Sequence, residues 1–390
     1  MNQKTVVIAF LDKDWPPQHS FVDGMLTDVA AKEADIKMRL CVSRSGRDRF
    51  KPRCYRGVAC IPGLHPRRGS GRLKNLWVAL QLIQYQVRRE KQRGNRVVLF
   101  VRNDPIYLLA ASLMRDRVDR LIFQSSFPHE EFSGHALKRG IARLIYRIAG
   151  RGVDVVTGVS PEGVARAQRL CPSATAGGHI PLLADFPLAS DERNERTCPD
   201  GGPVFVYIGT HSAGRELQTV LASIVRAVAK GAVVQFRFVG ATEADESRLR
   251  QLDGVNDLIE RRILRLERPV PRHDIPQILS DSDVGVSLIP PKPVYYESSP
   301  TKLAEYMGAG LAVLASSGIP MQERFVRESG AGVLVEWEVN AISEGVYSLS
   351  KDFSSIKEYG EKAVKFSQEM LQYSAYLPQF RQLLSVYQSD

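Results

Sequence analysis

Long apolar runs are absent from this sequence, and cysteines are few. No window approaches the ~18 apolar residues that a membrane-spanning helix requires, which predicts that the protein is not integral to a membrane. The five cysteines include no C-x2-C pair, which argues against a zinc site, and their odd number fits a disulfide framework poorly. We therefore expect reduced thiols and a cytoplasmic location.

The amino terminus also lacks the features of a secretion signal. The apolar run at residues 6–10 is short and is followed at once by Asp12, Lys13 and Asp14, which predicts a first β-strand. Hydrophobic residues make up 44% and charged residues 25% of the 390 positions. Such a composition is typical of a soluble globular protein, and the length allows two domains.

Positive charge is concentrated in the first half of the chain. Residues 1–190 contain 31 lysines and arginines against 16 acids, whereas the remaining residues are net acidic, and the whole chain carries +10. Halves of opposite sign predict two domains with different partners. A basic domain attracts a phosphorylated acceptor, an anionic membrane surface or nucleic acid. Solubility alone is the alternative explanation for this charge.

Apolar runs typical of buried parallel strands alternate with amphipathic helical segments along the sequence. This alternation predicts an α/β fold of two doubly wound parallel-sheet, Rossmann-like domains facing a cleft, with ligands at the carboxyl ends of the strands. A polar stretch at residues 187–203 is the predicted linker. The predicted domains are residues 1–190 and 200–368, followed by an amphipathic helix at residues 369–390. The predicted strands include residues 97–101, 121–124, 153–159, 204–208, 234–239, 284–288 and 311–315. The first predicted helix is at residues 21–32, and Ser160 is placed to cap another helix with Pro161 at its first position.

Residues 297–315, ESSPTKLAEYMGAGLAVLA, contain a short predicted helix with a defined start and end. Ser299 is placed to cap the helix, with Pro300 at its first position. Gly308 and Gly310 are expected to end it. The backbone N–H groups of the first turn then remain free and carry a partial positive charge, which suits a diphosphate.

Two acids lie on either side of this predicted helix start. Glu297 falls in the preceding loop and Glu305 near the second turn, so the two do not share a helix face. A carboxylate beside an anion site can accept hydrogen bonds from sugar hydroxyls. The alternative is that both acids are ordinary solvated surface residues. The proline, threonine, lysine and glycine context of the pair favours the binding site.

The segment resembles the E-x7-E signature of retaining GT-B glycosyltransferases of family 4, the glycosyl transferases group 1, including the PTKL-EYM-AG-VL run. That resemblance implies a GT-B fold, in which residues 200–368 bind the nucleotide-sugar, residues 1–190 bind the acceptor and residues 369–390 cross back to the first domain. It also implies that Glu297, as a catalytic residue, holds the donor sugar. The donor-binding groups that it further implies are Glu305 for the ribose, the backbone of Ser298, Ser299 and Thr301 for the diphosphate, and Lys302 as an added charge.

A second segment, FVYIGTHSAGR at residues 205–215, resembles the strand and glycine loop beside the donor phosphates in the same family. Gly209 stands at the strand end, and Arg215 matches one of the two cations that the family places here to balance the diphosphate. Thr210 occupies the position where the other cation, an arginine, is common. The donor phosphates therefore lack one cation unless Lys302 or another residue replaces it. The alternative for Arg215 is a surface position on the following helix.

Two further positions follow from the resemblance. The backbone around Val270, within RPVPRHDIPQIL at residues 268–279, is expected to contact the nucleotide base. His129, after the predicted strand at residues 121–124, is the candidate catalytic histidine, with His135 behind it. A histidine there donates a hydrogen bond to the donor sugar or the β-phosphate, and a surface-loop histidine is the alternative.

The resemblance implies transfer of a sugar from a UDP- or GDP-sugar to an acceptor hydroxyl with retention at the anomeric carbon. No metal or other cofactor is expected, since the nucleotide-sugar is a substrate and cationic and amide groups stabilise the leaving diphosphate. The basic amphipathic segment at residues 136–149 suggests a peripheral position at the cytoplasmic membrane face. A glycan or lipid-linked acceptor, as in polysaccharide or glycoconjugate assembly, would fit that position.

Three other functions remain open at this point. A sugar-nucleotide epimerase would share the fold without transferring the sugar, and an inactive scaffold would keep the fold alone. A nucleic-acid-binding protein would explain the pI of about 9.4, but the basic residues are scattered and form no RRM, zinc-finger or helix-turn-helix motif. No specific nucleic-acid partner is therefore predicted.

Overall fold

The computed structural model describes residues 3–43, 53–63, 72–128, 136–184 and 200–385. The chain divides into two compact units. The first unit comprises Met1–Asp185, Glu297–Ser299 and Tyr373–Asp390, and the second comprises Phe186–Tyr296 and Pro300–Gln372.

The first unit is built on a sheet of eight strands in the order β3-β4-β2-β1-β5-β6-β7-β8. All neighbours run parallel except the edge pair β3–β4, which is antiparallel. The central strands are almost wholly apolar and buried, as expected when both faces of a parallel sheet are covered. The strands are β1 Thr5–Asp14, β2 Ile36–Ser43, β3 Arg53–Tyr55, β4 Val58–Pro62, β5 Arg96–Arg102, β6 Arg120–Ser125, β7 Val155–Gly158 and β8 Thr175–His179.

Helices connect these strands and cover the sheet. The Ser160 side chain accepts a hydrogen bond from the Gly163 amide and caps a helix with Pro161 at its first position, so that predicted cap is confirmed. A π-helical turn at Val22–Leu26 interrupts the first predicted helix. The helices are α1 Thr27–Lys32, α2 Arg72–Lys91, α3 Pro105–Ser112, α4 Ala136–Gly150 and α5 Pro161–Leu170.

The second unit has a sheet of six parallel strands in the order β11-β10-β9-β12-β13-β14. This order reverses between β9 and β12, as in a Rossmann sheet, and such a reversal opens a crevice at the carboxyl ends. Asp283 has a structural role here, since its carboxylate accepts the Val204 amide at 2.8 Å. The strands are β9 Val204–Ile208, β10 Gln235–Val239, β11 Leu264–Glu267, β12 Val284–Ser287, β13 Ala312–Ser316 and β14 Gly332–Val335.

Nine helices in the described part of the second unit surround this sheet. The apolar core lies between the sheet and these helices, with Phe205, Phe236 and Leu221 fully buried. The helices are α6 Leu217–Ala229, α7 Glu243–Arg250, α8 Val255–Glu260, α9 Ile275–Ser280, α10 Pro293–Tyr296, α11 Thr301–Gly308, α12 Pro320–Ser329, α13 Val339–Lys351 and α14 Phe353–Met370.

The last helix, α15 Tyr373–Leu384, belongs to the first unit. Phe380 is fully buried, and its ring lies 6.0 Å from that of Phe21 and 5.8 Å from that of Phe100. The Tyr373 hydroxyl donates to Ser20 and accepts from the Leu183 amide. Aromatic packing and these hydrogen bonds therefore anchor the helix.

Two expectations from the sequence concern membrane-spanning helices and the state of the cysteines. Within the described ranges, no helix combines the length and the apolar character that crossing a membrane demands. The described cysteines Cys41, Cys54, Cys60 and Cys171 are free thiols, as predicted, and Cys198 lies outside the described residues.

Candidate functional site

A cavity of about 500 Å³ lies at the carboxyl ends of β9 and β10 in the second unit. Its location is the one at which doubly wound sheets bind ligands. Three residues predicted from the sequence line it, namely Gly209, Thr210 and Val270. The other lining residues are Ile208, His211, Ser212, Val239, Gly240, Thr242, Asp245, Pro269 and Ile275.

Two glycines allow close approach of the groups beneath this cavity. A Cβ on Gly240 would lie 2.2 Å from the carbonyl oxygen of Gly209, so only hydrogen fits there. A Cβ on Gly209 would lie 1.8 Å from Nζ of Lys302. Both residues also have positive φ values, +118° and +154°, which other residues rarely adopt. The glycine at the end of β9 therefore allows Lys302 to pack against the backbone.

The Lys302 amine lies in a confined and electropositive place. Nζ lies 4.8 Å from the centre of the Tyr207 ring. In the described chain it makes no hydrogen bond and no ion pair with an acid. Burial, followed by the charge of Arg215, lowers the pKa of Lys302 to about 7, although Glu305 acts in the opposite direction. This predicted donor-binding lysine therefore lacks an anionic partner among the described residues.

Arg215 lies in a 3-10 turn, Ala213–Arg215, before helix α6 begins. Its guanidinium is 5.4 Å from the centre of the Tyr295 ring. The next residue, Glu216, adopts a left-handed conformation with φ of 50° and pairs with Lys292. Arg215 is thus held by the loop and is not a surface residue of the helix.

Glu305 lies in the second turn of α11 and is only 5% exposed. Its Oε1 accepts a hydrogen bond from Arg272 at 3.0 Å, and the two form an ion pair. Arg272 was not predicted from the sequence, although it stands within the segment that contains Val270. The feature that could have identified it is a basic residue in a loop predicted to bind the base.

His211 lines the cavity and is a second residue that was not predicted from the sequence. It is fully buried, and burial lowers the pKa of its ring. Nδ1 lies 2.9 Å from the Gly209 carbonyl, which places the proton of the neutral ring on that nitrogen. Arg248 donates to the His211 carbonyl, so side chain and backbone are both held.

Thr242 and Asp245 also line the cavity and form a capping box at the start of α7. The Thr242 hydroxyl accepts the Asp245 amide and donates to the carboxylate at 2.6 Å. These hydrogen bonds, above all the one from the threonine hydroxyl, lower the pKa of Asp245. The sequence feature that could have identified this pair is the T-x-x-D pattern after a strand and a glycine, which resembles a capping box.

Glu297 belongs to the first unit, and its carboxylate is paired there. Its oxygens lie 3.2 Å from Arg166 Nε and 3.6 Å from Arg169. The Glu297 carbonyl also accepts a hydrogen bond from the Ser160 hydroxyl at 2.8 Å. Burial lowers the pKa of Arg166, and the charge of Glu297 opposes this shift. The carboxylate is not an ordinary solvated surface group.

The predicted helix cap at Ser299 is wrong. Helix α11 begins after Pro300 without a side-chain cap, because the Ser299 hydroxyl instead accepts the Leu182 amide at 2.9 Å. Ser298 and Ser299 belong to the first unit, whereas Thr301 opens α11 in the second. The amides of the first turn of α11 have no partner within that helix.

A polar cluster lies at the carboxyl ends of β1, β5 and β6 in the first unit. Arg102 is 2% exposed, contacts the His19 ring at 3.2 Å and donates to the Ser126 hydroxyl at 3.1 Å. Asn103 also donates to Ser126 at 2.7 Å. The predicted His129 and its neighbour His135 lie outside the described residues.

Metal ligands do not cluster in the part of the chain that the structure covers. No group of three or more histidine, cysteine or acidic side chains is close enough there to hold an ion.

One family model matches part of this chain. Residues 202–352, all within the second unit, match the family model described as "Glycosyl transferases group 1". A search of curated proteins gives no match. The matched segment contains the cavity, Lys302 and Glu305.

Solved structures resemble the chain over nearly its whole length. Sucrose-phosphate synthase from Thermosynechococcus elongatus has a TM-score of 0.69 and 17% identity, with 98% of each chain covered. Anabaena HepE, in complex with UDP and glucose, has a TM-score of 0.67 and 14% identity, covering 98% of this chain and 100% of that one. Trehalose-6-phosphate from E. coli, bound with UDP-2-fluoro glucose, has a TM-score of 0.67 and 10% identity, covering 97% and 98%.

These likenesses establish the fold. The chain has the α/β architecture of GT-B glycosyltransferases with two Rossmann-like sheets, so the predicted fold class is confirmed. The family match and the structural neighbours together support a GT-B glycosyltransferase.

Proposed function

We propose that the protein is a retaining glycosyltransferase of family 4 that transfers a sugar from a UDP- or GDP-sugar to an acceptor hydroxyl. The observation that carries this proposal is the cavity at the ends of β9 and β10, with the amine of Lys302 packed against Gly209 of its lining and Arg215 in the loop that follows Gly209. Lys302 and Arg215 lack an acidic partner in the described chain, whereas a diphosphate supplies negative charge. Two neighbouring folds hold UDP or a UDP-sugar, which agrees with this donor class.

The donor is assigned to groups of the second unit. The backbone at Val270 contacts the base, and Glu305 accepts hydrogen bonds from the ribose while Arg272 holds its carboxylate in place. Lys302, Arg215 and the free amides of α11 bind the diphosphate. The family resemblance is the basis for adding the backbone of Gly209, Thr210, Ser298, Ser299 and Thr301 as phosphate contacts, Glu297 as the ligand of the donor sugar, and His129 as the catalytic histidine.

The chemistry is electrostatic. As the bond between sugar and phosphate breaks, negative charge grows on the leaving diphosphate, and preorganised cations and amides stabilise it. The acceptor hydroxyl then attacks the anomeric carbon on the face that the diphosphate leaves, and its proton passes to an oxygen of the departing diphosphate. Attack on that face retains the configuration. The proposal requires no resident metal, because Lys302 and Arg215 supply the positive charge.

The acceptor is proposed to be a glycan or a lipid-linked sugar at the cytoplasmic membrane face, in polysaccharide or glycoconjugate assembly. Helix α4 supports this proposal. Leu137, Leu144 and Ile148 are 77%, 58% and 48% exposed, and their spacing places them on one face of the helix. Exposed apolar groups among arginines suit an anionic membrane better than nucleic acid. The basic residues of this helix are Lys138, Arg139, Arg143 and Arg147.

A thermal-shift screen with UDP, GDP, ADP and CMP tests the donor assignment. A nucleotide at 100 times its Kd should stabilise the protein by roughly 2.7 kcal/mol. The corresponding nucleotide-sugar is then incubated with and without a lipid-linked acceptor, and the anomeric configuration of the product is determined by NMR. Absence of stabilisation by every nucleotide would overturn the proposal. Epimerisation without transfer would favour the epimerase instead.

A further inference from the structure

We propose that Lys302 is the second cation of the donor diphosphate site, in place of the arginine absent at position 210, and that it takes up a proton when the diphosphate binds. The inference rests on the proposed function, because it presupposes a nucleoside diphosphate beside the cavity. It assigns to that site a dependence on proton uptake that an arginine would not produce, because a guanidinium stays charged at every physiological pH.

The position of the amine supports the replacement. Nζ of Lys302 packs directly against Gly209, the residue before Thr210, and only the absence of a Cβ at Gly209 leaves room for it. The Tyr207 hydroxyl donates to the Thr210 carbonyl at 2.9 Å and fixes this loop. The ring of the same tyrosine lies 4.8 Å from Nζ. The lysine from α11 thus brings a charge to the loop where the residue at 210 supplies none.

No acid in the described chain is available to neutralise this amine. Glu305, on the same helix, is the acid that raises the pKa of this amine. Its carboxylate is already paired with Arg272 at 3.0 Å. The 3-10 turn adds a like charge, Arg215, which disfavours the ammonium. The remaining titratable neighbours carry no negative charge near neutrality.

Those neighbours are Tyr207 and His211. Burial raises the pKa of Tyr207 to about 12, so its phenol stays protonated. Burial lowers the pKa of His211, and Lys302 lowers it further, so its ring is neutral. The free site therefore favours a neutral amine at pH values above the lysine pKa of about 7.

A bound diphosphate reverses this balance. Its negative charges favour the ammonium over the amine and move the pKa of Lys302 back towards its usual range. At pH 8 about one in ten of the free amines carries the proton, so binding takes up about 0.9 proton from the buffer. At pH 6 the amine is already protonated, and uptake is about 0.1 proton. The product is an ammonium–phosphate ion pair.

Isothermal titration calorimetry tests this inference with UDP or GDP, whichever stabilises the protein. Titrations at pH 8 in Tris and in HEPES give the protons exchanged from the dependence of the binding enthalpy on the ionisation enthalpy of the buffer. The nucleotide is fully ionised at pH 8, since its phosphate pKa is about 6, and contributes none of them. We expect uptake of about 0.9 proton at pH 8, falling as the pH is lowered.

Substitutions assign the proton to its residue. Lys302→Met should abolish the uptake at pH 8 and weaken binding by roughly tenfold to a hundredfold, because a charged hydrogen bond is lost. Lys302→Arg should bind without uptake. The matched control is Lys230→Met, which removes an exposed lysine paired with Glu344 in the same unit and should leave both uptake and affinity unchanged.

The outcomes separate the two proposals. Failure of every nucleotide to bind the wild-type protein would refute the proposed function. Binding without proton exchange at pH 8, or uptake that persists in Lys302→Met, would overturn the role of Lys302 while leaving the donor site intact. Should Lys302→Met not fold, the wild-type titration at pH 8 still decides, because the nucleotide contributes no proton there and an absence of uptake contradicts the inference.

Discussion

At the carboxyl ends of β9 and β10 the second unit has a cavity of about 500 Å³, whereas at the ends of β1, β5 and β6 in the first unit Arg102 contacts both His19 and Ser126. Both sheets reverse their strand order at the same point, between the first and fourth parallel strands. Such a reversal opens a crevice in a doubly wound sheet, and the side chains at this edge differ between the two units.

The two units also differ in how their charged groups are paired. In the second unit, Lys302 and Arg215 contact aromatic rings and lack an acid among the described residues. In the first unit, Glu297 is held by Arg166 and Arg169. An unmatched buried charge destabilises a protein unless a ligand compensates for it, whereas a charge that is already paired within the fold needs no ligand. The imbalance points to the second unit as the place where an anion binds.

Removal of Arg166 should produce the largest loss of stability. Arg166→Met leaves the partly buried Glu297 without its closest cation, and we expect a loss of roughly 3 kcal/mol in the free energy of unfolding. The control is Arg169→Met, which removes an arginine that is 69% exposed and should cost less than about 1 kcal/mol. Urea denaturation measures both. Equal and small effects would show that the Glu297 pair contributes nothing to the first unit.

Loss of Glu305 should have the largest effect on catalysis. Glu305→Ala removes the proposed ribose ligand and leaves Arg272 without its partner, so kcat/KM should fall by roughly 30-fold to 100-fold. Glu344→Ala in the same unit removes an exposed acid paired with Lys230 and serves as the control. Steady-state kinetics with the nucleotide-sugar that binds measure the change. Unaltered kcat/KM in Glu305→Ala would exclude Glu305 from the site.

A methyl group at Gly209 should displace the Lys302 amine. In Gly209→Ala the added carbon would lie 1.8 Å from Nζ, so the lysine must move and nucleotide affinity should fall by about tenfold. Gly214→Ala is the matched control in the same loop, since a Cβ there meets nothing within 4 Å. Calorimetry gives both affinities. Equal affinities in the two variants would contradict the importance of this close approach.

The smallest expected effect concerns helix α4 in the first unit. Arg143→Gln and Arg147→Gln should each weaken binding to vesicles of anionic lipid by about fivefold, since a basic residue near such a surface contributes about 1 kcal/mol. Arg226→Gln in α6 of the second unit is the control. Co-sedimentation at low salt measures the binding. If the control lowers binding as strongly as either α4 variant, the proposed surface is wrong.

Local sequence patterns predicted the fold and the Ser160 cap, and failed at the Ser299 cap. Both caps rest on a serine followed by proline, but only Ser160 turns its hydroxyl to its own helix. The Ser299 hydroxyl is taken by the amide of Leu182, 117 residues away. A competing donor at that distance leaves no trace in the local pattern, and its position depends on the packing of the whole unit.

The order of strands and helices, the glycines that follow β9 and β10, and the excess of positive charge are all properties of the sequence itself, because periodicity and composition depend on near neighbours. The pairing of charges was decided by the tertiary structure. Glu305 meets Arg272, Glu297 meets Arg166, and Lys302 meets the glycine at 209 only after helices and strands have packed. Charge, burial and distance together set which of these groups is matched, and a linear sequence contains only the first of the three.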